Sequence, residues 1–383
     1  MHIVIAPDSF KGSLTAGEAA SAIAMGVKQV FPKASISKVP VADGGEGTID
    51  ALTQTTHGKI MTNAVMGPLN EPINADWYIF SENTVSVAVI EMAKASGLLI
   101  TPENKRDIRH ASTYGTGQLI KAALDAGVGR IIIGIGGSAT NDGGAGMAAA
   151  LGVKFFDKNH QIIPAGGAAL SQLAYIDTTN IDKRIYHTDI CIASDVDNPL
   201  CGPAGASAVY GPQKGARPET VTELDAALLH YSNIAKHDIG IDVSNIPGSG
   251  AAGGLGAGLM LFTNGRIISG SKLILDTINF PKIIAGAAFI ITGEGYTDEQ
   301  TIQGKVPIRI AEIAKRQDIP VICLSGALSE AAHNLANYGV SAVAAIPYAP
   351  CSLDYCMENA ALLLQLAAVR TCQLIKIGSL MEK

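Results

Sequence analysis

Short apolar runs that stop at Pro, Gly or Asp alternate along the chain with stretches whose apolar residues recur every three or four positions. This alternation predicts α/β units. Residues 2–6 form a β-branched run closed by Pro7. Thr15-Ala16-Gly17-Glu18 has the form of a capping box, and it opens a segment with apolar residues at Ala20, Ile23, Ala24, Val27 and Val30 that Pro32 ends. A second short strand is expected over residues 35–41. Strand, helix and strand in this order make a parallel pair, so Asp8 and Asp43 are expected at the carboxyl edge of one sheet, where open α/β sheets bind ligands.

Toward the other end, residues 288–292, 320–325 and 342–347 read as buried strands, separated by helical stretches at about 306–316 and 330–338 and followed by a helix over about 355–375. Two strands at one end and three at the other are each too few for a well-covered sheet. Joined, they make a five-stranded doubly wound sheet of ordinary size. The expected fold class is therefore α/β, with a Rossmann- or flavodoxin-like parallel-sheet domain built from residues 1–62 and 286–383 and an inserted α/β domain at 63–285. The insert is expected to hold strands at 77–80, 85–91, 130–135 and 189–194 and helices near 115–126 and 219–236.

The 383 residues exceed what one core usually organises, and 48% hydrophobic against 16% charged residues marks a folded chain rather than a disordered one. A net charge of −6, with no dense Lys/Arg run, argues against nucleic acid as a partner. The longest apolar stretches, around 283–291 and 360–369, are shorter than the roughly 20 residues a bilayer span needs. Without a leader pattern or CxxC pairs, the six cysteines read as reduced, packed thiols, and the expected location is cytoplasmic.

Two glycine-rich segments stand out. Gly134-Ile135-Gly136-Gly137-Ser138-Ala139-Thr140-Asn141-Asp142-Gly143-Gly144-Ala145-Gly146 follows an apolar strand and precedes a helical stretch, an arrangement that can offer backbone N–H groups to an anion. The bland reading is a tight turn with close helix packing. The second segment is Gly248-Ser249-Gly250-Ala251-Ala252-Gly253-Gly254-Leu255-Gly256-Ala257-Gly258. No Walker-type Gly-x-x-x-x-Gly-Lys-[Ser/Thr] occurs. Carboxylates beside glycine at expected strand ends complete the picture: Asp8, Asp43, Asp195 and Asp197, and Glu294 with Asp298, accompanied by Lys11, Lys214 and Lys305. Phosphoryl transfer needs such parts, namely cations on the moving charge and a carboxylate for the acceptor hydroxyl.

Five motifs, in order along nearly the whole chain, resemble the bacterial type I glycerate kinase family. They are Ala6-Pro7-Asp8-Ser9-Phe10-Lys11-Gly12-Ser13, Ala42-Asp43-Gly44-Gly45-Glu46-Gly47-Thr48, residues 136–144, Ser194-Asp195-Val196-Asp197-Asn198-Pro199-Leu200, and Thr292-Gly293-Glu294-Gly295 with Asp298, Gln300, Thr301, Gly304 and Lys305. Tyr296 and Arg309 depart from the pattern, standing where Arg and Gly are common.

The resemblance implies an ATP- and Mg²⁺-dependent kinase acting on D-glycerate to give 2-phosphoglycerate, with its site between two α/β domains. By residue type and position, Asp195 is expected to take the hydroxyl proton, with Asp43, Lys11 and Asp298 as further catalytic groups. Asp8, Asp43 and Asp197 are candidates for metal, and Asp8, Ser9, Glu294 and Lys305 for substrate. Gly136, Gly137, Ser138, Asn141, Gly253 and Gly254 are expected to hold the nucleotide. The expected partner is the small-molecule substrate, with neither nucleic acid nor membrane; a homodimer is compatible with the sequence.

Two other classes fit parts of the sequence. One is an NAD-dependent oxidoreductase, read from Gly134-x-Gly136-x-x-Ala139 with Asp157 as the ribose acid; the other is a non-catalytic sugar-acid-binding protein. Asp142 among the phosphate positions counts against the first, and the scattered lysines count against the second.

Overall fold

The structure, a computed structural model, describes residues 1–302 and 304–381. Its strands in chain order are β1 (His2–Ile5), β2 (Ser35–Lys38), β3 (Gly58–Met66), β4 (Pro72–Glu82), β5 (Val85–Glu91), β6 (Arg130–Gly134) and β7 (Lys154–Phe156). They continue with β8 (Tyr175–Asp177), β9 (Asp189–Ala193), β10 (Arg266–Ile268), β11 (Phe289–Thr297), β12 (Val321–Leu328) and β13 (Ala342–Ala345). The chain divides into two compact units, one of Met1–Asp43, Asp50–Thr56 and Ser271–Lys383, the other of Gly44–Ile49 and His57–Gly270. Residues 271–285, read from sequence as part of the insert, group with the first unit.

The first unit is built on an all-parallel sheet in the order β13-β12-β11-β1-β2. Counted within the unit this is 2-1-3-4-5, the flavodoxin-like order, whose switch point lies between β1 and β11. Strand alternation places Ile3 and Ile5 on one face with Phe289, Ile291, Ile322 and Leu324. That face is covered by the helices Ala16–Val30 and Ala360–Met381, through Ala19, Ala20, Ile23 and Val27 and through Leu363, Leu364, Ala367, Ala368 and Cys372. The capping box forms as the sequence predicts: Thr15 Oγ1 accepts the Glu18 N–H at 3.2 Å, and Glu18 Oε2 accepts the Thr15 N–H at 2.8 Å.

The C-terminal helical region differs from expectation. Ser352 caps a short helix, Leu353–Glu358, and a separate helix of 22 residues runs over Ala360–Met381. This second helix is long and apolar enough to cross a membrane by length and composition, although its apolar stripe is buried in the core just described. Residues 330–338 form the expected helical stretch, as a 3₁₀ helix.

The second unit carries a mixed sheet in the order β10-β9-β6-β5-β4-β3. Strands β5, β6, β9 and β10 run parallel, and β4 and β3 return antiparallel. Ile131 and Ile133 of β6 lie in the same core as Leu119, Ile120 and Ala123 of the helix Tyr114–Asp125 and as Met147, Leu228 and Tyr231. Strand β3 was not expected: it is an edge strand whose residues are mostly exposed, so it lacks the apolar run that reveals a buried one. It is fixed instead by polar cross-strand pairs, Thr62 Oγ1 to Asp76 at 2.6 Å and Trp77 Nε1 to Asn63 Oδ1 at 2.8 Å.

Candidate functional site

In the first unit, the switch point gathers charge. The Asp8 N–H donates to the Gly293 carbonyl at 2.8 Å, which holds the segment leaving β1 beside the end of β11. Asp8 is only 6% exposed, and its Oδ1 accepts the Ser9 N–H at 2.6 Å. Burial pushes its carboxyl well above the usual carboxylate range, and the negative charge of Asp43 pushes the same way, against the Ser9 N–H and the charge of Lys11. Lys11 is exposed and lies 3.4 Å from Asp43 Oδ2; the negative charge of Asp43 is the main cause of the raised lysine value.

Glu294, within β11, is also buried, and its Oε1 accepts from Thr297 Oγ1 at 2.9 Å and Thr301 Oγ1 at 2.7 Å. Burial raises its carboxyl, opposed by these two hydroxyls and by Lys305. Lys305 Nζ stands 3.8 Å from Asp298 Oδ1. That same oxygen accepts the N–H groups of Gln300 and Thr301, so Asp298 caps the short helix Glu299–Ile302 in addition to facing the lysine. Asp8, Lys11, Asp43, Glu294, Asp298 and Lys305 are thus all placed around one sheet edge. Thr297 and Thr301, which orient Glu294, were not singled out from sequence as its partners; the signal was hydroxyls three and seven positions after a carboxylate.

In the second unit, the first glycine loop leaves β6 and enters the six-residue helix Ala145–Ala150. The N–H groups expected to face an anion there are taken by the protein. Asp142 is fully buried and accepts the N–H groups of Gly144 at 3.1 Å, Gly146 at 3.2 Å and Thr113 at 2.8 Å. Met147 N–H donates to Thr113 Oγ1 at 2.9 Å. Burial raises the Asp142 carboxyl, opposed by the Thr113 and glycine N–H bonds. Asn141 is buried as well, with Nδ2 donating to Ser207 Oγ at 2.9 Å. Within the loop, Gly136 and Gly137 are the accessible part, and Ser138 is 7% exposed just behind them.

Gly253 and Gly254 do not meet the expectation of a ligand-facing loop. Both are buried inside the helix Ala251–Phe262, at a kink where their φ values are +66° and +86°. A Cβ at Gly253 would strike the Thr140 carbonyl, and one at Gly254 would come within 2.8 Å of Gly143 Cα. Bare backbone is required here because one glycine segment packs on the other, with Gly143 N–H bonded to the Gly253 carbonyl at 3.0 Å. At these two positions close packing of one segment on the other accounts for the glycines.

Asp195 follows β9, and its Oδ1 accepts the Gly270 N–H at 3.0 Å. The sequence led us to expect partial burial, but Asp195 and Asp197 are both exposed, because the turn carries them beyond the strand's buried run. Glu91, which sequence reasoning passed over, closes β5, is buried, and accepts the Ile49 N–H at 2.7 Å. A charged residue directly after the apolar run Val87–Ile90 was the signal available. Asp157 sits in a tight turn, accepting N–H groups of Asn159 and Gln161, a local role that does not need a ribose. Tyr296 is 52% exposed. Among the described residues no group of three or more His, Cys, Asp or Glu side chains is placed to hold a metal ion.

A parallel sheet with charged groups gathered at its topological switch point defines an α/β fold of the kind that binds ligands at that edge. Comparison with known proteins narrows this. Residues 3–376 match the model of the glycerate kinase family. The chain is 47% identical over 366 residues to the glycerate kinase of Halalkalibacterium halodurans, covering 96% of each chain. It is 46% identical over 360 residues to the glycerate 2-kinase of Escherichia coli K12, covering 94% of each. A crystal structure from Salmonella typhimurium LT2, provisionally named glycerate kinase 2, superposes with a TM-score of 0.85 at 45% identity over 99% of both chains. The chain belongs to the glycerate kinase family.

Proposed function

We propose that this protein transfers the terminal phosphoryl group of ATP to a hydroxyl of D-glycerate, giving 2-phosphoglycerate and ADP. The observation that carries the reading is the switch point of the first unit, where buried Asp8 and Glu294 lie with Asp43, Lys11 and Lys305 at the end of a parallel sheet. Family membership supports the choice of substrate, since relatives bear the names glycerate kinase and glycerate 2-kinase.

The donor set fits Mg²⁺. Asp8 and Asp43 are hard oxygen donors whose like charges repel, a repulsion that a divalent cation relieves. A magnesium ion of a kinase is commonly held by one or two carboxylates plus phosphate oxygens, so a three-residue cluster is not required. Asp8 and Asp43 would hold it, with Asp197 as a further exposed carboxylate, and when bound it would offset charge on the phosphoryl oxygens.

Lys11 and Lys305 neutralise the glycerate carboxylate and the phosphoryl charge. Ser9 and Glu294 contact the substrate hydroxyls, and Asp298 holds Lys305. Asp195 accepts the proton of the attacking hydroxyl; its support is now orientation by the Gly270 N–H and accessibility, not burial. Gly136, Gly137 and Ser138 face the nucleotide phosphates. Asn141 supports that loop from behind through Ser207.

The test is ADP release from ATP by the purified protein. Release that requires D-glycerate and stops when EDTA removes divalent metal is expected. Release unaffected by omitting glycerate would overturn the substrate, and full turnover in EDTA would overturn the metal.

A further inference from the structure

We infer that Lys214 is a positioning residue, which fixes the Ser138 hydroxyl as a hydrogen-bond donor to an anionic ligand at the accessible end of the first glycine loop. The inference rests on the proposed nucleotide role of that loop and assigns the polar contact within it.

Lys214 ends the turn Pro212–Lys214 and is 2% exposed. A buried amine is costly unless its hydrogens are used. Here Nζ donates to Ser138 Oγ at 2.6 Å and to the Thr140 carbonyl at 2.7 Å, so one side chain ties together both ends of the segment 138–140. A serine hydroxyl has one hydrogen and two acceptor sites, whereas an ammonium accepts nothing. With Lys214 donating to Oγ, the Ser138 hydrogen must point elsewhere, and no acceptor for it is found among the described residues. Ser138 follows Gly136 and Gly137, the exposed part of the loop. Two further polar atoms of the same loop, Thr140 Oγ1 and Asn141 Oδ1, are buried without a hydrogen-bond partner among the described residues. The loop therefore holds more hydrogen-bonding capacity than the protein around it uses.

The protonation of Lys214 matters to this geometry. Burial brings it down to about 7, with Asp142 the charged group that opposes the shift. As an ammonium it leaves the Ser138 hydrogen free for another acceptor; as a neutral amine it can accept that hydrogen back. Affinity for the anion is therefore expected to fall as pH rises through this range.

The experiment is calorimetric titration of Mg-ATP and, separately, D-glycerate into wild type, Lys214→Met, Lys214→Gln, Ser138→Ala and the Lys214→Met/Ser138→Ala double variant, at about pH 6 and about pH 8. Lys214→Met and Ser138→Ala are each expected to weaken ATP about tenfold at the lower pH, with the double variant no worse than either. Lys214→Gln should recover part of the loss, glycerate affinity should change less than about twofold, and the pH dependence should be weaker in Ser138→Ala than in wild type. Losses that multiply in the double variant, equal losses for both ligands, or an unchanged ATP affinity would overturn the inference. Should Lys214→Met fail to fold, the pH dependence of wild type against Ser138→Ala still decides it. Failure of wild type to bind ATP at all would instead overturn the proposed function.

Discussion

The edge of the first sheet and the glycine loops of the second unit look alike in sequence, since both place polar residues among glycines after an apolar strand, yet the structure uses them differently. At the first edge the polar groups are carboxylates held against their own electrostatic preference: Asp8 and Glu294 are buried and raised, and Asp43 repels Asp8. In the loops, most polar groups are satisfied by neighbours, with Asp142 taking the N–H groups of Gly144, Gly146 and Thr113, and the glycines of the two segments press on one another. Buried carboxylates whose charge burial and like-charged neighbours oppose mark a place prepared for a ligand, whereas hydrogen-bonded polarity with bare backbone marks packing. Gly136 and Gly137 of the first loop keep an accessible end, with Ser138 buried just behind them.

This contrast can be broken at its charged side first, where effects are largest. Asp8→Asn should lower turnover at least about 100-fold, the scale of removing one group that stabilises transferring charge. The same change should stabilise the ligand-free protein. A carboxyl whose folded value lies above its unfolded value contributes stability at low pH and loses it as pH rises through the folded value, so at neutral pH Asp8 weakens the fold. Melting temperature should then rise, by about 2–4 °C for each kcal/mol relieved. A loss of both activity and stability would mean that Asp8 is structural. Exposed Asp195 offers the control: Asp195→Asn should slow turnover by about 10²- to 10⁴-fold, leave melting near wild type and preserve ATP and glycerate binding. Near-normal turnover would remove it as the base.

On the packed side, Gly253→Ala should destabilise by about 2–5 kcal/mol, combining the left-handed backbone penalty with overpacking against Thr140. Gly137→Ala meets only the Glu46 carboxylate end at 2.9 Å and Ala93 Cβ at 3.2 Å, so its cost should stay near the backbone penalty of about 1–2 kcal/mol while ATP binding weakens. Denaturant midpoints together with ATP titration separate the two. If Gly253→Ala spared the fold and abolished ATP binding, the packing account of the second segment would fail.

How much of this was legible in the sequence depends on what kind of contact decides each feature. The first sheet was readable because β1 and the opening residues of β11 are short apolar runs and the Thr15 capping box is local in the chain. Carboxylates at strand ends were readable for the same reason. What covers a strand end was not: Asp195 follows a buried run and yet is exposed. The burial of Lys214 depends on contacts with Ser138 and Thr140, more than seventy positions away, which no local pattern reports. Gly253 looked like a ligand loop because glycine registers a close approach without saying what approaches.

The smallest effect concerns Lys214. Its folded value of about 7 lies below the ordinary 10.5, so the cost of burying its charge is full below about 7 and is relieved as pH rises toward 10.5. Lys214→Met should therefore gain most over wild type below about pH 7, and the gap in melting temperature should narrow by about pH 10. A gap independent of pH would show that the amine does not titrate there.

The most direct measurement of the central claim is phosphorus NMR of the product formed from ATP, Mg²⁺ and D-glycerate by the wild-type protein. The account predicts ADP and a phosphomonoester on the secondary carbon, 2-phosphoglycerate. Folded protein that leaves glycerate unphosphorylated would contradict the function, and 3-phosphoglycerate would contradict the assigned hydroxyl.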